Sequence, residues 1–452
     1  MRDLAKSAFS ASLAMPLFGL QQMANLLRSP GEVDDALDHV AKAAEASLGG
    51  TLQRLFQIGD RVGNGAVDLA AKVLDPRLYD PEKIANLATA LARRSAAGLQ
   101  TALSGGSVAA FEELRNKIQV FLLVQQVAKL IGEAATPPFP LRKLVDAAYA
   151  LGDFRALWAV EGLGHDYAES FFRQGIQPHG ILSLEKTPDL PAKSLTMLNA
   201  GIGLGIVQNR LENLPPTPYE EVRRRVAEAI DLCRDNVRPG YFGAAVEQLG
   251  LYPQVFNQPI LSSVDRAIRE VAGAEAGEIL GYFWHGVGRA LFFSPINFLP
   301  CSDWQLFAMA RQQAPDEAAR LSAYAGVAWA YTVVNQRQPH IMAELLIGPH
   351  GAELARDGGF VNGLQSVLIM RQDVTPDAED LIASYQRYQA KGCEQLWERL
   401  VRAPAEQALQ VYHPALARHN HLGDIFRYQD LDALVGGLAK AGAAGAGGGG
   451  PR

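Results

Sequence analysis

A glycine set among small and apolar residues recurs along this chain of 452 residues. It stands in VEGLGHDYAESFF, LNAGIGLGIVQNRL, GYFGAAVEQLG, WHGVGRALFFSP, YAGVAWAYTVVN and VNGLQSVLIMRQ. The anchors are Gly162, Gly201, Gly243, Gly286, Gly326 and Gly363, with successive spacings of 39, 42, 43, 40 and 37 residues. A period near ~40 residues is the length of a two-helix unit. Inside a helix a glycine costs about 1 kcal/mol against alanine. Keeping one in each unit implies helices whose backbones approach closely.

The segments between anchors predict a second kind of helix. In TPYEEVRRRVAEAIDLCRDNV, Val222, Val226, Ala229, Ile230, Cys233 and Val237 fall on one stripe with charges opposite. Thr217, Pro218 and Glu220 read as a capped start with a capping box. Ser302 with Gln305 offers the same box, and Thr375–Pro376–Asp377 a similar start. Each unit then pairs an amphipathic outer helix with a Gly/Ala-rich inner one. No run of alternating β-branched residues is bounded by Asn-Gly or Asp-Gly turns. The expected fold is all-α, with about six two-helix repeats of ~40 residues in a curved or closed array around a core or a cavity.

Composition divides the chain into three zones. Residues 1–135 are rich in Ala, Leu and Gln and predict an N-terminal amphipathic helical region, with Val33, Leu37, Val40 and Ala44 on one stripe. Pro137, Pro138 and Pro140 mark a linker. Residues 141–435 hold the repeats, and 436–452 form a Gly/Ala tail expected to be disordered.

Charge and cysteine content exclude several classes. The net charge of −6 lacks the basic footprint of a nucleic-acid binder. Cys233, Cys301 and Cys393 contain no C-x-x-C pair, which argues against a disulfide scaffold or a cysteine zinc site. The apolar run Ala8 to Leu20 is interrupted by Pro16 and followed by Gln21 and Gln22, so it reads as helix rather than signal peptide. Ile118 to Ile131 contains Gln125, Gln126 and Lys129 and falls short of the ~18 uncharged residues of a spanning helix. A cytoplasmic protein with reduced thiols is expected.

The glycine-bearing helices, above all FWHGVGRALFFSP with VEGLGHDYAESFF and NAGIGLGIVQ, resemble the uncharacterised protein family encoded beside enediyne polyketide gene clusters in bacteria. The resemblance covers roughly residues 140–390 and implies a role near natural-product biosynthesis. It carries over no catalytic residues. Ala328 and Gln365 depart from the double-glycine pattern.

The polar residues on the inner helices are the candidate chemistry. Glu161, His165 and Glu169 lie at steps of four on one face, with Asp166 beside them. Such a face can supply acid/base groups or metal ligands, or be a solvated face with local ion pairs. His285 and Arg289 hold the same offsets from Gly286 that Glu161 and His165 hold from Gly162. If the inner helices face one chamber, these four converge there with Asn362.

Asp34, Asp35 and Asp38 spell the D-D-x-x-D magnesium-binding pattern of prenyl-diphosphate enzymes. Acids are also favoured in a helix's first turn by its dipole, and the second metal motif of such enzymes is missing. His413, His419 and His421 match no standard ligand spacing and read as exposed loop residues. No nucleophile elbow and no phosphate loop occur, and G-I-G-L-G at 201–205 follows no strand.

The function expected from these residues is a bacterial secondary-metabolism protein that encloses a large apolar ligand, a polyene or isoprenoid, and acts on it with Glu161, His165, Asp166, His285 and Arg289. One alternative is a Mg-dependent terpene cyclase using Asp34, Asp35 and Asp38. The other is a non-enzymatic lipid- or membrane-surface protein whose residues 1–135 lie on the apolar phase.

Overall fold

The computed structural model describes residues 140–294 and 303–446, together with Asn297 and a few positions between 109 and 120. The chain divides into two compact units, Met1–Leu114 with Pro295–Ser302, and Arg115–Ser294 with Asp303–Arg452. The second unit is described here. It is built from helices, with no strand among the described residues: α1 (Leu141–Tyr149), α2 (Asp153–Arg173), α3 (Leu195–Leu211), α4 (Tyr219–Asn236), α5 (Phe242–Val246), α6 (Gln248–Phe256), α7 (Leu261–Val271), α8 (Ala276–Phe293), α9 (Asp303–Gln313), α10 (Glu317–Asn335), α11 (Pro339–Ile347), α12 (Gly359–Val374), α13 (Glu379–Arg387), α14 (394–419) and α15 (Leu431–Ala446).

The buried helices pack in succession: α2 on α3, α3 on α5 and α6, α6 on α8, α8 on α10 and α10 on α12, while α12 touches α3. Thr196 Oγ1 on α3 donates to Asp373 Oδ2 on α12 at 2.7 Å. The glycines stand at the crossings, one from each helix of a pair. A methyl group on Gly164 would strike the Leu198 carbonyl, and one on Gly201 the Glu161 carbonyl. Gly250 and Gly286 face the carbonyls of Phe283 and Glu247 in the same way, and Gly288 and Gly326 those of Ala323 and His285. Two residues along a helix turn the direction by about 200°. A Gly-x-Gly therefore offers a bare backbone to each flanking helix at once, as α8 does with Gly286 to α6 and Gly288 to α10. The crossing glycine of α2 is Gly164, two residues beyond the anchor chosen by spacing.

The outer helices keep one apolar face. On α4, Val222, Val226, Ala229, Ile230 and Cys233 are buried, while Arg224 pairs with Glu221 along the exposed face. The expected capping box does not form. Pro218 occupies the N-cap position and has no side-chain acceptor, and Glu220 accepts from Arg223 Nε at 2.9 Å instead. Nor does Thr375 open a helix. Its hydroxyl donates back to the Arg371 carbonyl at 3.1 Å, closing α12, and α13 begins only at Glu379. Ser302 lies outside the described residues.

Two further expectations are corrected. The tail read as disordered from 436 continues as α15 to Ala446. Asp430 Oδ1 accepts from the Ala433 amide, Asp432 accepts from the Tyr412 hydroxyl at 2.9 Å, and alanine then carries the helix onward. His413 and His419 sit half-buried on α14 rather than in an exposed loop, and His421 Nδ1 pairs with Asp424 at 2.9 Å. No described helix is long and apolar enough to cross a membrane.

Candidate functional site

Packing of α6 on α8, and of α2 and α6 on α3, brings charged side chains together in the interior. Arg289 of α8 donates through Nη1 to Glu247 Oε2 at 2.6 Å and through Nη2 to Glu161 Oε1 at 3.1 Å. His285, one turn earlier, donates through Nδ1 to the other oxygen of Glu247, also at 2.6 Å. The Arg289 guanidinium stacks on Trp329, 4.2 Å from the ring centroid. His285 packs edge-to-face against Trp329 and Phe426. Glu247 and His285 are wholly buried, and Arg289 nearly so.

Each bond in this network has a reason in physical chemistry. A cation among aromatic and aliphatic side chains survives only with paired, hydrogen-bonded counter-charges. Glu247 and Glu161 supply these at close range, and both attract the guanidinium enough to raise its pKa against the opposing effect of burial. Gly286 and Gly326 let α6, α8 and α10 approach closely enough for the side chains to meet.

Glu161 differs from the rest of the network. Protein surrounds it, and burial pushes its carboxyl above the usual range against the pull of Arg289. Yet 12 % of its side chain remains accessible. A polar row on α2 and α3 continues from there. His165 Nε2 donates to Gln208 Oε1 at 2.9 Å, and Nδ1 lies 3.4 Å from Asp166 Oδ1. Burial alone would lower the imidazolium's pKa, but Asp166, Glu169 and Gln208 outweigh it and raise it to about 9. Burial raises the carboxyl groups of Glu169 and Glu212 as well, with His165 opposing. Tyr252 feels both carboxylates, and its ring packs on Phe256, which is 40 % exposed.

The structure thus joins Glu161 to Arg289 directly, and His285 to Arg289 through Glu247. His165 and Asp166 form a neighbouring pair, electrostatically coupled to Glu161 through His165. Asn362 does not converge with them and donates instead to the Gln429 carbonyl at 2.8 Å. Spacing missed Glu247, which joins the histidine to the arginine. Its signal is present, because it is the lone acid in the apolar run FGAAVEQLGLY. Asp34, Asp35 and Asp38 lie outside the described residues, as does most of 1–135. Among the described residues no group of three His, Cys, Asp or Glu is arranged to hold a metal.

No family model, curated protein or solved structure matches this chain. The resemblance to the enediyne-associated family draws no support from these comparisons, and the site is read from its geometry.

Proposed function

We propose that this protein binds a largely apolar small molecule, of the polyene class, where Glu161 of α2 is accessible beside α3 and α6, and that Glu161 with His165 moves a proton on it. The observation carrying the reading is the state of Glu161. It is the accessible end of a sealed network, held by Arg289 and raised in pKa by burial, as suits a carboxyl group that gives and takes protons. Tyr252 and Phe256 supply an apolar rim for the ligand, and His165 supplies a second proton carrier one turn away on α2. Placement in bacterial secondary metabolism is the part of the reading supported by the enediyne-family resemblance of the glycine-bearing helices.

The test uses a fluorescent conjugated polyene fatty acid, whose emission rises in apolar surroundings. Saturable enhancement by the purified chain is expected, together with deuterium uptake into the recovered polyene in heavy water. Glu161→Gln should cut that uptake by about 100-fold or more, the span of general acid–base catalysis. Absence of saturable enhancement would sink the binding reading. Uptake undiminished in Glu161→Gln would remove the carboxyl from its role.

A further inference from the structure

A second arginine is buried at the far end of α12 under different circumstances. Arg371 is 1 % exposed. Its Nε and Nη2 have no hydrogen-bond partner, and Nη1 reaches only the Asp153 carbonyl at 3.4 Å. Asp153 is the first residue of α2, a helix of 21 residues whose N-cap, Gly152, offers no side-chain acceptor. The guanidinium therefore lies at a helix end whose first amides lack intrahelical partners and whose dipole is positive.

The surrounding charges accentuate the imbalance. Arg337 stacks on Phe154, the second residue of α2, with its guanidinium 3.8 Å from the ring centroid. It repels Arg371, and burial, the largest influence, pushes the Arg371 guanidinium down to about 10. Asp153 attracts Arg371 without forming an ion pair. Asp373, two residues on, is engaged by Thr196. The Tyr149 hydroxyl donates to the carbonyls of Lys193 and Val374. Gly152 and Asp153 are exposed, so this end of α2 opens to solvent.

A buried guanidinium with two idle donor groups beside an uncapped helix terminus fits one ligand chemistry. The planar fork of arginine matches the paired oxygens of a carboxylate or phosphate, and first-turn amides bind the same groups. We propose that the N-terminus of α2 with Arg371 and Arg337 forms a binding site for a small oxyanion, the carboxylate or phosphate group of a ligand entering past Gly152. This site is independent of the one proposed at Glu161.

The experiment follows thermal unfolding of the full chain at fixed ionic strength while chloride is replaced by inorganic phosphate or by acetate. A saturable rise of about 2–4 °C is expected with the matching anion, and phosphate and acetate separate the two sources. Arg371→Met should abolish the rise. The proposal fails if neither anion exceeds chloride, or if the rise is as large in Arg371→Met. Should that variant not fold, hydrogen exchange in the wild-type chain decides. Anion-slowed exchange at the first-turn amides of α2 supports the site, and unchanged exchange overturns it.

Discussion

Arg289 on α8 and Arg371 on α12 are exposed to 2 % and 1 %, and both descend from inner helices of the same glycine-marked series. Around Arg289 the protein has placed two carboxylates, a histidine and a tryptophan face. Around Arg371 it has placed a single long contact to a carbonyl, the attraction of Asp153 without an ion pair, and a second arginine in repulsion. Burial alone does not define a structural charge. What matters is whether the fold itself completes the coordination, as at Arg289, or leaves donors over, as at Arg371.

The largest expected effect separates the two directly. Arg289→Met should cost about 3–5 kcal/mol in denaturant unfolding, because Glu247 and Glu161 would keep their charges in the interior without a partner. Arg371→Met in chloride should be neutral or stabilising, since it removes a buried cation whose hydrogen bonds are unmade. A loss at Arg371 as large as that at Arg289 would break the comparison.

A second measurement asks whether Asp373 is the hidden counter-charge of Arg371. Burial raises the Asp373 carboxyl to about 6, with the Thr196 hydrogen bond opposing. A carboxyl raised above its unfolded value contributes stability that is fully present below about 4 and lost as pH rises through about 6. Asp373→Asn removes the buried charge. It should therefore stabilise the protein by about 1–3 kcal/mol at pH 8 and do little at pH 4. A destabilisation at pH 8 would mean that Arg371 depends on Asp373, and would bring the two arginines closer in kind.

How much of this was legible in the sequence follows from the range of the forces involved. The glycine series predicted close helix contacts, because a missing side chain is a local fact whose consequence is a short backbone distance. The offsets of Glu161, His285 and Arg289 also led to residues that meet. His165 was placed in the same group and instead took Gln208 and Asp166, because one turn of rise along α2 carries it past the arginine to a different stretch of α3. Glu247 and Arg371 escaped notice since their significance depends on contacts across 42 and 218 positions of chain. The caps failed for a local reason. Thr217 and Thr375 have suitable side chains, but Pro218 took the N-cap position of α4 and Thr375 turned back to close α12.

The smallest effect tests the richer side of the comparison at its surface end. Arg289 belongs to a region crowded with carboxylates, and His165 is the second cation those carboxylates hold, raised to about 9. An imidazolium raised above its unfolded value contributes stability that is fully present below about 6.5 and lost as pH rises through about 9. His165→Gln should therefore lose about 1–2 kcal/mol relative to wild type at pH 6, and the gap should close by pH 10. Unfolding midpoints of the two chains across that range check it. A gap independent of pH would show that His165 acts through packing and its Gln208 hydrogen bond alone. Carboxylate abundance would then stop at Glu161, and the contrast between the two arginines would narrow to their immediate neighbours.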